Sequence, residues 1–188
     1  LLKLPATAVS RRHLESIQRA SAANDSIPTL VEFAKQGDDF WVVLTWVNGS
    51  DLKQYLNKVR AGTLPRPSSR EVVRLLRGLV HGLRHLHNTC QLVHGDLKPA
   101  NLILQSRPTR LVTIDFGSAW LREHAADCRT GDGFSRVYTA PELQFDIELQ
   151  PDFRADQFSA SVIAYELLTL QLPYANLGGA AARPESLN

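Results

Sequence analysis

The residue pattern predicts an α+β fold, with a small β-rich part over residues 1–47 followed by a larger helical part over residues 51–188. Three observations carry that expectation. Leu30-Val31-Glu32-Phe33 and Phe40 to Val47 are short apolar runs on either side of the polar Gln36-Gly37-Asp38-Asp39, which reads as a hairpin. Val72, Val73, Leu75, Leu76, Leu79, Val80, Leu83 and Leu86 recur at helical spacing. A second strongly apolar segment opens at Asp156 and runs to about Leu170.

Taken in order, Arg11 to Ala22 reads as a helix of weak apolar spacing, and the hairpin follows it. Asn48-Gly49-Ser50 is a cluster of helix and strand breakers, and residues 48–50 are the predicted hinge between the two parts. Pro67-Ser68-Ser69 places a Ser cap in front of the long apolar stripe. Leu102-Ile103-Leu104 and Leu111-Val112-Thr113-Ile114 are two short strands around an Arg107-Pro108 turn. Asp156 suits a helix start, where a carboxylate satisfies open backbone N–H groups. No repeat or low-complexity segment interrupts this order.

Composition narrows the function classes. A chain of 188 residues is expected to form one domain with a substantial core, and 44% hydrophobic with 21% charged residues is ordinary for a globular protein. A formal charge of +2 is too small to point to a nucleic-acid partner. Cys90 and Cys128 lie far apart and form no metal-ligand spacing, so a reducing, cytoplasmic setting is expected. The longest apolar run, Phe40 to Leu44, is far too short to span a bilayer, and no signal peptide is visible. The sequence contains no Met, so the expectation is a piece of a longer chain.

The chemistry concentrates in His94-Gly95-Asp96-Leu97-Lys98-Pro99-Ala100-Asn101 and, one strand pair later, Asp115-Phe116-Gly117. Together they bring two carboxylates, a carboxamide and an ammonium to two closely spaced loops. Asp96 suits a base that accepts the proton of an attacking hydroxyl, and Lys98 a point charge on a transferring phosphate. Asn101 and Asp115 offer the hard oxygen ligands that Mg²⁺ prefers. The first stretch spells His-x-Asp-Leu-x-x-x-Asn and the second Asp-Phe-Gly, and Tyr138-Thr139-Ala140-Pro141-Glu142 adds a third word downstream. On these residues the chain resembles the eukaryotic-like (Hanks-type) serine/threonine protein kinase domain.

The resemblance implies a bilobal kinase fold, with residues 1–47 as part of a β-rich N-lobe and 51–188 as part of a helical C-lobe. It implies ATP and Mg²⁺ as cofactors, a protein substrate bearing Ser or Thr, and a cytoplasmic enzyme. Thr45-Trp46-Val47 would pair its backbone with adenine, behind Leu44 at the back of the pocket. Asp51 would bond the ribose and Ile103 lie beneath the ring. Lys3 would pair with the phosphates and, in turn, with Glu15, although Glu15 stands closer to Lys3 than is usual and Arg19 follows where an apolar residue is expected. Ser135 stands where the family has a Thr that contacts the catalytic Asp and Lys. Asp156 would accept backbone N–H bonds from the loop containing Asp96.

Other features carry less. His81 and His85 have a zinc-compatible spacing, but no acid lies between them to act as a base, and an ordinary helix end is expected. Arg70, Arg74 and Arg77 share one helical face, which reads as a solvated face. Gly131-Asp132-Gly133 lacks the strand-to-helix context of a phosphate loop. Gly95 replaces the Arg that in the family reads a phosphate on the activation loop, so activity independent of that phosphate is expected. His-Gly-Asp also resembles the aminoglycoside and choline kinases, which makes a small-molecule phosphotransferase the alternative; Lys98 and Pro141-Glu142 favour a protein substrate. A non-catalytic kinase-like binding module is the third reading. No Gly-rich loop precedes Lys3, and the chain ends soon after the Asp156 helix, so an incomplete domain with weak nucleotide binding is expected.

Overall fold

Antiparallel pairing organises the first part of the chain. The computed structural model describes residues 2–6, 11–107, 109–121, 136–144 and 152–181; Cys128, Thr130, Gly131 to Gly133 and Ser135 lie outside the described residues. Strand β1 (Leu2–Pro5), helix α1 (Arg11–Ala22), β2 (Leu30–Gln36) and β3 (Asp39–Leu44) come first, and the sheet order is β1-β3-β2. Leu4 lies opposite Phe40 and both are buried, while Lys3 lies opposite Trp41 on the other face. That alternation follows from the two-residue period of a strand.

The hairpin turns where the sequence predicts, at Gly37 with φ 61°, but β3 ends at Leu44 rather than Val47. Pairing beyond Leu30–Leu44 would bring Thr45 opposite Thr29 and Trp46 opposite Pro28, and Pro has no N–H to donate. One further bond, from Thr45 N–H to the Thr29 carbonyl at 2.9 Å, closes the ladder.

Residues 45–49 then run extended to the short strand β4 (Ser50–Asp51), which pairs with β6 (Leu102–Ser106). Gly49 is there for space: a Cβ would stand 2.4 Å from the Leu104 carbonyl oxygen and 2.7 Å from the Ile103 side chain. The breaker cluster thus marks a close backbone crossing. Helix α2 (Leu52–Arg60), which the apolar pattern did not single out, follows directly. Helix α3 (Ser69–Thr89) starts as predicted. The Ser68 hydroxyl accepts the Glu71 N–H, and the Glu71 carboxylate accepts the Ser68 N–H in a reciprocal capping box. Val72, Leu75, Leu79, Leu83 and Leu86 of the apolar stripe are buried, whereas Val73 and Val80 are exposed. These two lie seven residues apart, on one flank of the helix.

Strands β5 (Leu92–Val93) and β8 (Trp120–Leu121) pair with each other; β6 and β7 (Thr109–Thr113) form the second predicted hairpin. Short helix α4 (Pro141–Gln144) precedes α5 (Arg154–Thr169), which begins two residues before Asp156. The larger of two apolar clusters among the described residues runs from Leu4, Phe40 and Val42 through Leu14 and Ile17 to Leu97, Leu102, Phe116, Ile163 and Leu167. It joins the small sheet to the long helices through the loops between them, so those loops are anchored on both sides. No helix among the described residues is long and apolar enough to cross a membrane.

Replacing Ser68 by Ala removes one half of the capping box and is expected to lower stability by about 1 kcal/mol. The check is a reduced urea midpoint with an unchanged slope.

Candidate active site

The loop from His94 to Asn101 leaves β5 and enters β6 through a 3-10 turn over Pro99–Asn101. Leu97, only 1% exposed, pins its centre into the core. Asp96 Oδ2 receives two donors: Lys98 Nζ at 2.5 Å and Asn101 Nδ2 at 3.1 Å. The same carboxamide nitrogen also donates to the Asp96 carbonyl at 2.9 Å. With Nδ2 committed, neither the Asn101 side-chain oxygen nor Asp96 Oδ1 has a hydrogen-bond partner among the described residues. One carboxylate oxygen is therefore fixed and the other is open.

His94 links this loop to the next. Its ring is fully buried. Nε2 donates to the Ile114 carbonyl at 3.1 Å, and Nδ1 accepts the Asp96 N–H at 3.3 Å, a pairing that requires the neutral Nε2–H tautomer. The ring also lies 5.1 Å from the buried Phe116 ring. Asp115, between Ile114 and Phe116, is exposed and adopts φ 64°, a left-handed conformation that Asp tolerates better than most residues. Its Oδ1 accepts the Gly117 N–H at 3.2 Å.

The donor types fit a hard divalent cation, since Asn101 and Asp115 both carry side-chain oxygens of the kind such an ion takes. Among the described residues no group of three or more His, Cys, Asp or Glu side chains gathers to hold a metal. Two protein ligands would leave most of a Mg²⁺ shell to phosphate oxygens and water, which is how Mg²⁺ is held with nucleotides.

Asp156 anchors the loop from below. It is 1% exposed. Oδ2 accepts the His94 N–H at 2.8 Å and the His87 Nε2–H at 2.8 Å, and Oδ1 accepts the Gly95 N–H at 3.0 Å. Of the two sequence readings, loop anchor or helix N-cap, the structure has the first; the cap position belongs to Phe153. Burial pushes the Asp156 carboxyl up. The His87 hydrogen bond, foremost, and the His94 N–H outweigh it and hold the group below its ordinary value. His87, read from the sequence as part of a helix end, is a member of this network and stacks on Phe153 at 4.6 Å. The available signal was its position four residues after Leu83, on the buried face of α3.

Gly95 has a local reason in the structure. Its φ is +80°, and a Cβ would stand 2.1 Å from Trp120 Cζ3 and 2.7 Å from the Ser118 carbonyl oxygen. The Trp120 indole, 4% exposed, fills the space beside the loop, and its Nε1 has no hydrogen-bond partner among the described residues. Any side chain at position 95 would meet that ring.

The nucleotide-side residues separate into two groups. Asp51 lies opposite Ile103 in the β4–β6 pair, and half-buried Leu44 and Val47 lie on the extended run that leads to it. The Asp51 carboxylate caps α2, accepting the Gln54 N–H at 2.8 Å. Thr45 has its N–H committed to Thr29, whereas the Val47 backbone has no partner among the described residues. Lys3 and Glu15 form no pair with each other. Lys3 is bound to Asp39 at 2.9 Å and lies over the Trp41 ring; Glu15 faces Arg11 at 3.7 Å, one turn earlier on its own helix. The physical reason is strand alternation: with Leu4 turned to the core, Lys3 faces the opposite side, toward solvent and Trp41.

Gly95→Ala is expected to destabilise the protein by about 1–3 kcal/mol through overpacking and positive-φ strain. Adding Trp120→Ala recovers part of that loss, because the two substitutions share one contact; a double-mutant cycle of urea midpoints checks this. For Asp156 the sign follows from its lowered value. The carboxylate contributes stability that is present above about pH 4, the ordinary carboxylate range, and is lost as the pH falls through the folded value. Unfolding free energy measured across pH 3–5 is expected to fall less steeply with acid in Asp156→Asn than in the parent.

Comparison with known proteins accords with this geometry. The family described as Protein kinase domain matches residues 8–185. The chain is 30% identical over 152 residues to the probable serine/threonine-protein kinase HSL1 of Saccharomyces cerevisiae, covering 81% of this chain and 10% of that protein. It is 29% identical over 189 residues to the mouse (Mus musculus) ribosomal protein S6 kinase alpha-4, covering 95% of this chain and 23% of that protein. It thus spans less than a quarter of either relative. In fold it is similar to the Cydia pomonella granulovirus kinase PK-1, with TM-score 0.70, 22% identity, and coverage of 90% of this chain and 58% of that one. Matched over nearly its whole length, the chain belongs to the protein kinase domain family.

Proposed function

We propose that this chain carries the catalytic loops of an ATP-dependent serine/threonine protein kinase, with Asp96 as the base. The observation that carries the reading is the asymmetric Asp96 carboxylate: Oδ2 is held by Lys98 and Asn101, and Oδ1 is open to a hydroxyl. The acceptor oxygen bonds to the γ-phosphorus, the bond to the bridging oxygen of ADP breaks, and the hydroxyl proton passes to Oδ1. Lys98, already beside the carboxylate, is the proposed positive charge on the transferring phosphoryl group. Asn101 Oδ1 and the Asp115 carboxylate are the proposed Mg²⁺ ligands, and the bound ion would neutralise phosphate charge as it is handed to the leaving group. Leu44, Thr45, Val47, Asp51 and Ile103 are the proposed nucleotide contacts; the Thr45 contribution is restricted to its carbonyl, since its N–H is taken. A cytoplasmic setting is part of the proposal, supported by the need for ATP.

Protein rather than small-molecule acceptors are supported by Lys98, by the Ala140-Pro141-Glu142 segment at the start of α4, and by relatives named as serine/threonine kinases. Asp96→Asn in the full-length protein is expected to lower kcat at least 100-fold, the order of a lost general base, with the KM for ATP little changed. Radiolabel transfer to a Ser/Thr protein and to an aminoglycoside is the measurement. Undiminished transfer in the variant removes Asp96 from the role of base, and labelling of the aminoglycoside alone favours the alternative.

A further inference from the structure

A cavity of about 580 Å³ opens between α2, the Lys98–Ala100 stretch of the catalytic loop, Tyr138 and the C-terminal end of α5. Three cationic side chains line it, Lys53, Arg60 and Lys98, against one carboxylate, Glu166. That carboxylate is not available to a guest. It is 3% exposed, with Oε1 bound by Arg60 Nη2 at 2.5 Å and Oε2 by the Tyr138 hydroxyl at 2.6 Å. Burial, then the Glu166 hydrogen bond, pushes the Tyr138 hydroxyl far above its ordinary range, so it stays a protonated donor.

The cations are differently placed. Lys98 is held by Asp96. Arg60 commits Nε to the Leu170 carbonyl at 3.0 Å and Nη2 to Glu166, which leaves the Nη1 edge of its guanidinium open. Lys53 is exposed and has no carboxylate partner among the described residues. A basic guest side chain would meet like charges and no open acid. A carboxylate would meet the Lys53 ammonium and the free Arg60 edge. Charges arranged in this way select partners as much by rejection as by attraction.

We infer that this cavity is an acceptor subsite that takes an Asp or Glu side chain flanking the phosphorylated Ser or Thr, read by Lys53 and Arg60. The inference rests on the phosphoryl-transfer reading of the adjacent Asp96. Its test is steady-state phosphorylation by the full-length protein of three peptides, each with one Ser flanked on both sides by Asp, by Ala or by Lys. The expected kcat/KM for the Asp peptide exceeds that for the Lys peptide about tenfold or more, mostly through KM, and the gap narrows as salt rises. Lys53→Glu, at an exposed position that the fold tolerates, is expected to collapse or invert the ratio, and Lys53→Arg to retain it. Equal use of all three peptides, or a ratio that Lys53→Glu leaves unmoved, overturns the subsite and leaves the kinase reading standing. Absence of transfer to any peptide overturns both.

Discussion

A single buried carboxylate organises the molecule. Asp156 sits at 1% exposure and would be severely destabilising there as an unpaired charge. It is instead surrounded by three donors drawn from two places: the His94 and Gly95 N–H groups of the loop, and the His87 imidazole of α3. The arrangement joins α5, α3 and the loop at one point. Because His94 is fixed there through its backbone, its ring can reach the Ile114 carbonyl and lie against Phe116. The position of Asp115 thus depends, through two further contacts, on a residue on a distant helix.

The second determinant is steric. Backbone N–H donation to Asp156 and the +80° φ at Gly95 bring the loop close to β8, where the Trp120 ring lies against it. The aromatic ring occupies the volume that any side chain at position 95 would need. The loop is held by packing and by Asp156, both of which are independent of any modification.

Around Glu166 the same economy of charge recurs. Glu166 is buried and satisfied by Arg60 and Tyr138, which closes off an acid beside the Lys98–Ala100 stretch and leaves the cavity lined by cations. On the small sheet the outcome is the reverse. Lys3 is turned outward and neutralised by Asp39, so the charge pair expected between the sheet and α1 is replaced by a contact within the sheet.

The sequence by itself determined the elements whose signals are local. The extent of α1, the Ser68 cap, both hairpin turns and the spelling of the two loops were all legible, because capping, turn chemistry and side-chain period act over a few residues. The loop chemistry was legible for the same reason, since Asp96, Lys98 and Asn101 lie within one short stretch. What only the tertiary structure decided involves partners far apart in the chain: His87 with Asp156, Arg60 and Tyr138 with Glu166, Trp120 against Gly95, and Gly49 against Leu104. Lys3 and Glu15 mark the same boundary from the other side, because which face of a strand or helix a side chain takes is set by the core that the whole chain builds. A local pattern can say that a glycine or a histidine is present; only the packed chain says what it must fit against.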